Sequence, residues 1–131
     1  MPTRSKQVVV MRRDLRLRRA EAASYVARAS MQFMAANASF TDDPCTTISF
    51  SDEEKEWFDG DSTVIVLGVP SETALQSIVG KAEMLGLTVH ALTKDRANDD
   101  KTEEERVLVC AAIGPHDEDS IDAVTAKLKL F

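Results

Sequence analysis

The sequence predicts a single α/β domain over residues 1–131, with a mixed central sheet of four to five strands and helices on both faces. Three observations predict it. Strand-like and helix-like segments alternate along the chain, the order expected of a layered α/β fold. The strand-like runs are continuously apolar and do not alternate with polar residues, so the sheet they form is covered on both sides. The length, 131 residues, is about one domain's worth, and a chain of that size removes roughly two-thirds of its surface from water without staples.

The elements follow in order. Gln7-Val8-Val9-Val10-Met11 is β-branched and apolar and reads as a buried strand. Arg12 to Leu17 is a charged turn. From Arg18 to Ala36 a helix is predicted, because Glu21, Ser24, Tyr25, Arg28 and Gln32 fall on one stripe at helical spacing. The other positions are small or apolar, so this helix is expected to be mostly buried, with one narrow polar strip exposed. Residues 37–50 have no clear period, and Asp42-Asp43-Pro44 signals a turn. Ser51 with Glu54 has capping-box spacing and opens a short helix over 52–58. Within it, Trp57 and Phe58 are expected to anchor the helix to the core.

Thr63 to Leu67 is a second buried strand, broken by Val69-Pro70. Ser71 caps a helix from Glu72 to Leu85, and Gly86 sits where a helix stop belongs. Thr88 to Thr93 is a third strand. A polar loop follows over 94–106, holding Asp99-Asp100 and Glu103-Glu104-Glu105. Val107 to Ile113 is a fourth strand, ended by Gly114-Pro115. Asp117-Glu118-Asp119 places negative charge in the first turn of a last helix, where the macrodipole favours it. That helix is expected to run to about Lys127, with Leu128 to Phe131 adding a short edge strand.

The formal net charge is -6, unevenly placed. Residues 1–30 hold eight basic and two acidic residues, and 31–131 hold eight basic and twenty acidic. A basic head on an acidic body points to a local anion-binding edge, and the competing reading is a solvated helix start. Any nucleic-acid contact must use that edge, since phosphate contacts supply most non-specific affinity. No apolar run reaches the ~18 residues of a membrane span, and residues 1–19 lack the pattern of a secretory signal. Cys45 and Cys110 do not form a disulfide framework, so a reducing, cytoplasmic setting is expected. His90 and His116 have no metal-ligand spacing to either cysteine; no metal or cofactor is expected, and His90 reads as a half-buried structural histidine.

Three segments together resemble the archaeal/eukaryotic-type peptidyl-tRNA hydrolase family. Val8-Val9-Val10-Met11-Arg12-Arg13-Asp14-Leu15 is similar to the family's opening strand and Asp-Leu turn. Lys81 through Val89 resembles its helix-to-strand junction. Ile113-Gly114-Pro115, followed by Ile121 to Thr125 and Leu128 to Phe131, resembles its C-terminus. Val69-Pro70-Ser71-Glu72 is a weaker match. The resemblance spans nearly the whole chain apart from 37–50 and 96–106. It implies a mixed sheet flanked by helices, and hydrolysis of the ester between a peptide and its tRNA. Homodimers are frequent in the family, so a homodimer stays open here.

The family's first helix opens with Lys-Gly-Lys, followed on the same face by Gln and His. Counted from Asp14-Leu15, these fall at Arg19, Ala20, Glu21, Tyr25 and Arg28. All but Arg19 and Ala20 belong to the polar stripe found from periodicity. Arg19 keeps a charge but no titratable amine. Glu21 inverts a charge where a phosphate or oxyanion would sit. Arg28 cannot act as a neutral acid or base, though it could pair with Glu21 across two turns, or bridge through Tyr25. The family's Asp after the third strand falls at Asp95, and its Thr entering the last long strand at Val109. A displaced hydroxyl could come from Thr93 or Thr102.

The resemblance therefore implies Asp95 and Arg19 as catalytic residues, and Arg16, Arg18, Arg19 and Arg28 as contacts to tRNA. Two functional readings stand. One is a hydrolase of peptidyl-tRNA or a related aminoacyl ester. The other is a non-enzymatic relative that binds RNA, a peptide or a protein. A third, different small-molecule chemistry using Glu21, Tyr25 and Arg28, rests only on their shared face.

Overall fold

In a computed structural model, residues 4–41, 44–95 and 106–131 are described. The turn signal at Asp42-Asp43 and the acidic runs between 96 and 105 lie outside them. The chain forms β1 (Ser5–Arg12), α1 (Arg19–Ser30), α2 (Gln32–Asn37), β2 (Ala38–Ser39), β3 (Thr47–Ile48), α3 (Asp52–Asp59), β4 (Val64–Val69), α4 (Glu72–Met84), β5 (Val89–Asp95), β6 (Arg106–Asp117), α5 (Glu118–Thr125) and β7 (Lys129–Leu130). Five strands make one mixed sheet in the order β5-β6-β1-β4-β7. β1 is parallel to β4 and antiparallel to β6, while β5 and β7 close the edges antiparallel to their neighbours. β1, β4 and β5 thus point the same way and end at the same end of the sheet.

The apolar runs are buried because both faces are covered, as the sequence predicts. On one face Val8, Val10, Leu67, Ala111 and Ile113 pack against Leu75, Ile78 and Ala82 of α4 and Ile121 and Val124 of α5. On the other, Val9, Met11, Val109, Cys110 and Ala112 pack against Ala29 of α1. Ser51 caps α3 by accepting from the Glu54 amide, and the Glu54 carboxylate accepts from the Ser51 amide. Trp57 is buried and donates its indole N–H to Thr63 O at 2.8 Å, which satisfies its one polar group. Phe58, expected to anchor with it, is half exposed but stacks on Phe50. Gly86 takes φ +76 just beyond α4, a conformation that favours glycine.

Three expectations are corrected. The first long helix is interrupted at Met31. The Gln7 side-chain amide donates to Ser30 O at 2.9 Å, and Met34 N bonds Met31 O. A contact from a strand far away in sequence thus takes the carbonyl that the next helical turn would use. β6 does not stop at Gly114-Pro115 but continues to Asp117. Its register with β1 jumps between Val8 and Lys6, so Pro115 sits at an irregularity where a missing N–H is tolerated. Finally, α1 is not mostly buried, since only Ala29 is. Ala22, Ala23, Val26 and Ala27 line an open apolar groove of about 560 Å³ opposite Val64, Val66, Leu130 and Phe131. β7 pairs only Leu67 and Gly68, so the sheet is too narrow to cover that flank of the helix.

α5 is capped by Asp117, which accepts from Ser120 N at 2.9 Å. Asp117's pKa is lowered, first by that backbone bond and further by Ser120 Oγ and His116. A carboxylate with a depressed folded-state pKa stabilises above its unfolded value, near 3.9, and loses that effect as pH falls through the folded value. Asp117→Ala is therefore expected to cost about 1 kcal/mol at pH 7. In thermal melts the gap to the wild type narrows steadily below about pH 4.

Candidate active site

The connection after β1 leads to α1 on one face of the sheet, and that after the parallel neighbour β4 leads to α4 on the other. In open α/β sheets ligands bind in the crevice at the carboxyl ends of strands whose connections diverge in this way. The 13–18 loop, the first turn of α1, the first turn of α4 and the end of β5 lie at that end of the sheet.

A buried arginine holds this end together. Arg12, whose side chain is 10% exposed, forks onto Asp14 with Nε–Oδ1 at 3.0 Å and Nη2–Oδ2 at 2.7 Å. Its Nη1 donates to Leu108 O at 2.8 Å and lies 3.8 Å from Glu72. Glu72 in turn accepts from Leu108 N at 2.8 Å. The network joins β1, the turn after it, α4 and β6. The bond from Arg12 is the main reason that Asp14's pKa is lowered, with Arg12's charge adding to it and burial opposing. Sequence reasoning placed Arg12 with Asp14 in a charged turn and Glu72 at a helix start, and missed their contact; Arg12 instead ends β1. Arginine as the last residue of a continuously apolar strand was the available signal, since a buried arginine needs partners.

The neighbouring Arg13 is occupied as well. It donates to Leu130 O, and its guanidinium lies 5.7 Å from the Phe131 ring centroid. A Cβ at Gly68 would collide with that guanidinium, so glycine opens the lane that Arg13 crosses.

Arg16, Arg18 and Arg19 are all exposed. Arg16 sits at φ 50, a left-handed conformation that costs a non-glycine residue about 1 kcal/mol. Arg18 is the extended residue before α1, and its amide donates to the Glu21 carboxylate at 3.4 Å. This is the acidic half of a capping box; the guanidinium of Arg18 has no acceptor to complete the other half. Glu21 thus has a structural use at the position where the resemblance expects a lysine. Its charge also offsets the positive end of the helix dipole.

Further along the stripe, the Arg28 guanidinium lies over the Tyr25 ring, 5.2 Å from its centroid. The sequence suggested a pairing of Arg28 with Glu21, direct or bridged through Tyr25; among the described residues no ion pair joins the two, and Arg28 lies over the Tyr25 ring instead. Tyr25 packs on the cluster containing Met11, Val109 and Cys110. Burial pushes the Cys110 thiol up to about 11, with the nearby Arg28 charge working against it. The thiol is consequently inert at neutral pH. Cys45 is exposed, and no disulfide joins the two cysteines.

Asp95 ends β5 at this same end of the sheet. Its carboxylate is 87% exposed and lies 3.6 Å from Arg106. Among the described residues its ion-pair partner is Arg106, and no bond joins it to Arg19. Val109 is fully buried. It is the extra residue of a β-bulge, because Leu92 pairs with Cys110 and Thr93 with Leu108. Thr93 is half-buried, and Thr102 lies outside the described residues. His90 is half-buried, as expected; burial lowers its pKa and Glu54's charge partly opposes this. Among the described residues no cluster of three or more His, Cys, Asp or Glu could hold a metal ion. No helix among them is long and apolar enough to cross a membrane.

The model of the family described as peptidyl-tRNA hydrolase PTH2 matches residues 5–131. The chain belongs to that family. Relatives agree over nearly the full length of both chains. The peptidyl-tRNA hydrolase of Haloquadratum walsbyi is 33% identical over 126 residues, covering 96% of this chain and 99% of the relative. That of Thermococcus onnurineus is 31% identical over 133 residues, covering 97% and 98%. That of Thermoplasma acidophilum is 26% identical over 129 residues, covering 96% and 97%. The resemblance drawn from three short segments thus extends along the PTH2 domain, and the mixed five-stranded sheet matches the expected fold.

Proposed function

We propose that this chain acts on peptidyl-tRNA, binding the RNA through Arg16, Arg18 and Arg19 and hydrolysing the peptide ester beside Asp95. One observation carries the reading. Asp95, the basic loop and the first turn of α1 share the crevice end of the sheet, in a chain whose family is named for that reaction. In the reaction a water oxygen attacks the acyl carbon and the bond to the ribose oxygen breaks. A peptide acid and a tRNA hydroxyl are released. Asp95 orients the water and accepts its proton, while Arg19 lies against the negative charge that develops on the carbonyl oxygen. The reaction takes place in the cytoplasm, with tRNA as the partner.

A specific observation favours the alternative, a binding module without turnover. Glu21 is committed to the helix cap and position 109 is a buried valine, so two of the positions where the family has polar groups supply neither a cation nor a hydroxyl. Release of labelled peptide from peptidyl-tRNA at micromolar protein separates the two. The hydrolase reading expects turnover that Asp95→Ala lowers by about 100-fold or more. An intact substrate that nonetheless binds would establish the alternative.

A further inference from the structure

The face of α1 turned toward β5 carries a contact that hydrolysis does not explain. Tyr25 is half-buried, with its ring packed on the sheet-side cluster, and the Arg28 guanidinium lies over that ring, 5.2 Å from its centroid. Arg28 is exposed and, among the described residues, makes no ion pair. A cation without an ion-pair partner beside an anchored, half-exposed ring offers a base both an aromatic and a guanidinium surface. Such layered guanidinium and aromatic surfaces stack unpaired nucleobases, because every base has a π-face and the guanidinium adds a cation–π attraction. The anchored ring also removes most of the ordering cost of binding.

We infer that Tyr25 and Arg28 form a stacking platform for one unpaired nucleobase of the RNA. The inference rests on the proposed RNA-binding function and deepens it, naming the part of the ligand that this face receives. Arg18 precedes Tyr25 by seven residues, two turns of helix, so it lies on the same side about 10 Å along the axis, and one short strand can place a base on the platform and its phosphates against the basic helix start. Glu21 lies between them on the same stripe. It holds the backbone off that stretch and directs the phosphates toward Arg18 and Arg19 instead. The platform reads shape and not sequence, so any base with an open face is accepted.

The full chain is titrated with the RNA trinucleotide AAA and with an abasic ribose-phosphate trimer of equal charge, and its proton spectrum is followed. Tyr25 is the chain's one tyrosine and Trp57 its one tryptophan, so the Tyr25 ring protons are assigned at once and the buried Trp57 serves as an internal control. Stacking moves the Tyr25 signals upfield with AAA but not with the abasic trimer, and leaves Trp57 unmoved. Arg28→Lys keeps the charge and loses the plane; it is expected to weaken AAA binding about tenfold while leaving the abasic trimer unchanged. Equal binding of both trimers, an unaltered affinity in Arg28→Lys, or no shift at millimolar AAA overturns the inference. So does a response only to aromatic peptides. A chain that stacks AAA yet leaves peptidyl-tRNA intact would keep the platform and lose the hydrolase reading. The reverse result would do the opposite.

Discussion

Arg12→Ala is expected to destabilise the fold by about 3 kcal/mol, the largest effect of any single polar substitution considered. The guanidinium is 10% exposed and makes three hydrogen bonds, two to Asp14 and one to Leu108 O, with Glu72 close by. Removing one partner of a buried, hydrogen-bonded pair typically costs 3–5 kcal/mol, because the groups left behind lose their solvation without replacement. Asp14 is 40% exposed and Glu72 29%, so water recovers part of that and the lower end of the range applies. Chemical denaturation at pH 7 measures the change, and the melting temperature should fall by roughly 10 °C. Arg12→Lys keeps the charge but cannot fork onto a carboxylate, so it should recover less than half of the loss. Because Asp14 has a depressed pKa, the pair stabilises fully above the unfolded value and less as pH falls through the folded one. The gap between the wild type and Arg12→Ala therefore shrinks below about pH 4. A gap that stayed constant down to pH 2 would show that Arg12 acts through its packing and its bond to Leu108 O, and not through Asp14.

That arginine marks where reading the sequence stops. Local signals located the elements: β-branched runs for β1 and β4, Ser51 and Ser71 as caps, Gly86 as a stop. Each depends on residues within one or two turns, and each is found in the structure. The misses share a different cause. The break at Met31 comes from Gln7, and the extension of β6 past Pro115 comes from its irregular pairing with β1. Both are set by contacts distant in the chain. The small β2–β3 pairing, Ala38 with Ile48 and Ser39 with Thr47, lies in the stretch that showed no period. Helical periodicity located the polar stripe of α1 correctly, but it could not say how wide the sheet beneath would be. Hence the alanine flank, expected to be buried, faces an open groove.

The polar stripe of the candidate site was legible by position more than by chemistry. Counting along the stripe placed Glu21, Tyr25 and Arg28 on one exposed or half-exposed face, and the structure keeps them there. What each does depends on atoms a few ångströms away. Glu21 is a cap for the Arg18 amide, and Arg28 is a lid on Tyr25. The capping role had a readable signal, an acidic residue at the third helical position. The stack did not, because the sequence suggested a pairing of Arg28 with Glu21, direct or bridged through Tyr25.

Glu21→Lys, with Tyr25 and Arg28 left in place to hold the RNA, is expected to raise peptidyl-tRNA hydrolysis by about 100-fold or more over the parent chain. The argument is electrostatic. A carboxylate near the phosphates and the developing oxyanion opposes both, whereas a lysine there favours both. A single well-placed donor of this kind is worth about 100- to 1,000-fold in rate. The gain has a structural cost of known sign. Lysine at 21 leaves the Arg18 amide without its acceptor and places a cation at the positive end of α1. The variant should therefore be less stable than the parent by about 1 kcal/mol. Rising activity with falling stability would show that Glu21 secures the helix at the expense of turnover. If stability falls and hydrolysis stays flat, Glu21 does not limit turnover, and the buried Val109 is the next position to change. In that case Val109→Thr would bury a hydroxyl in the apolar layer beneath α1, at a further cost of about 1–3 kcal/mol unless it finds a partner.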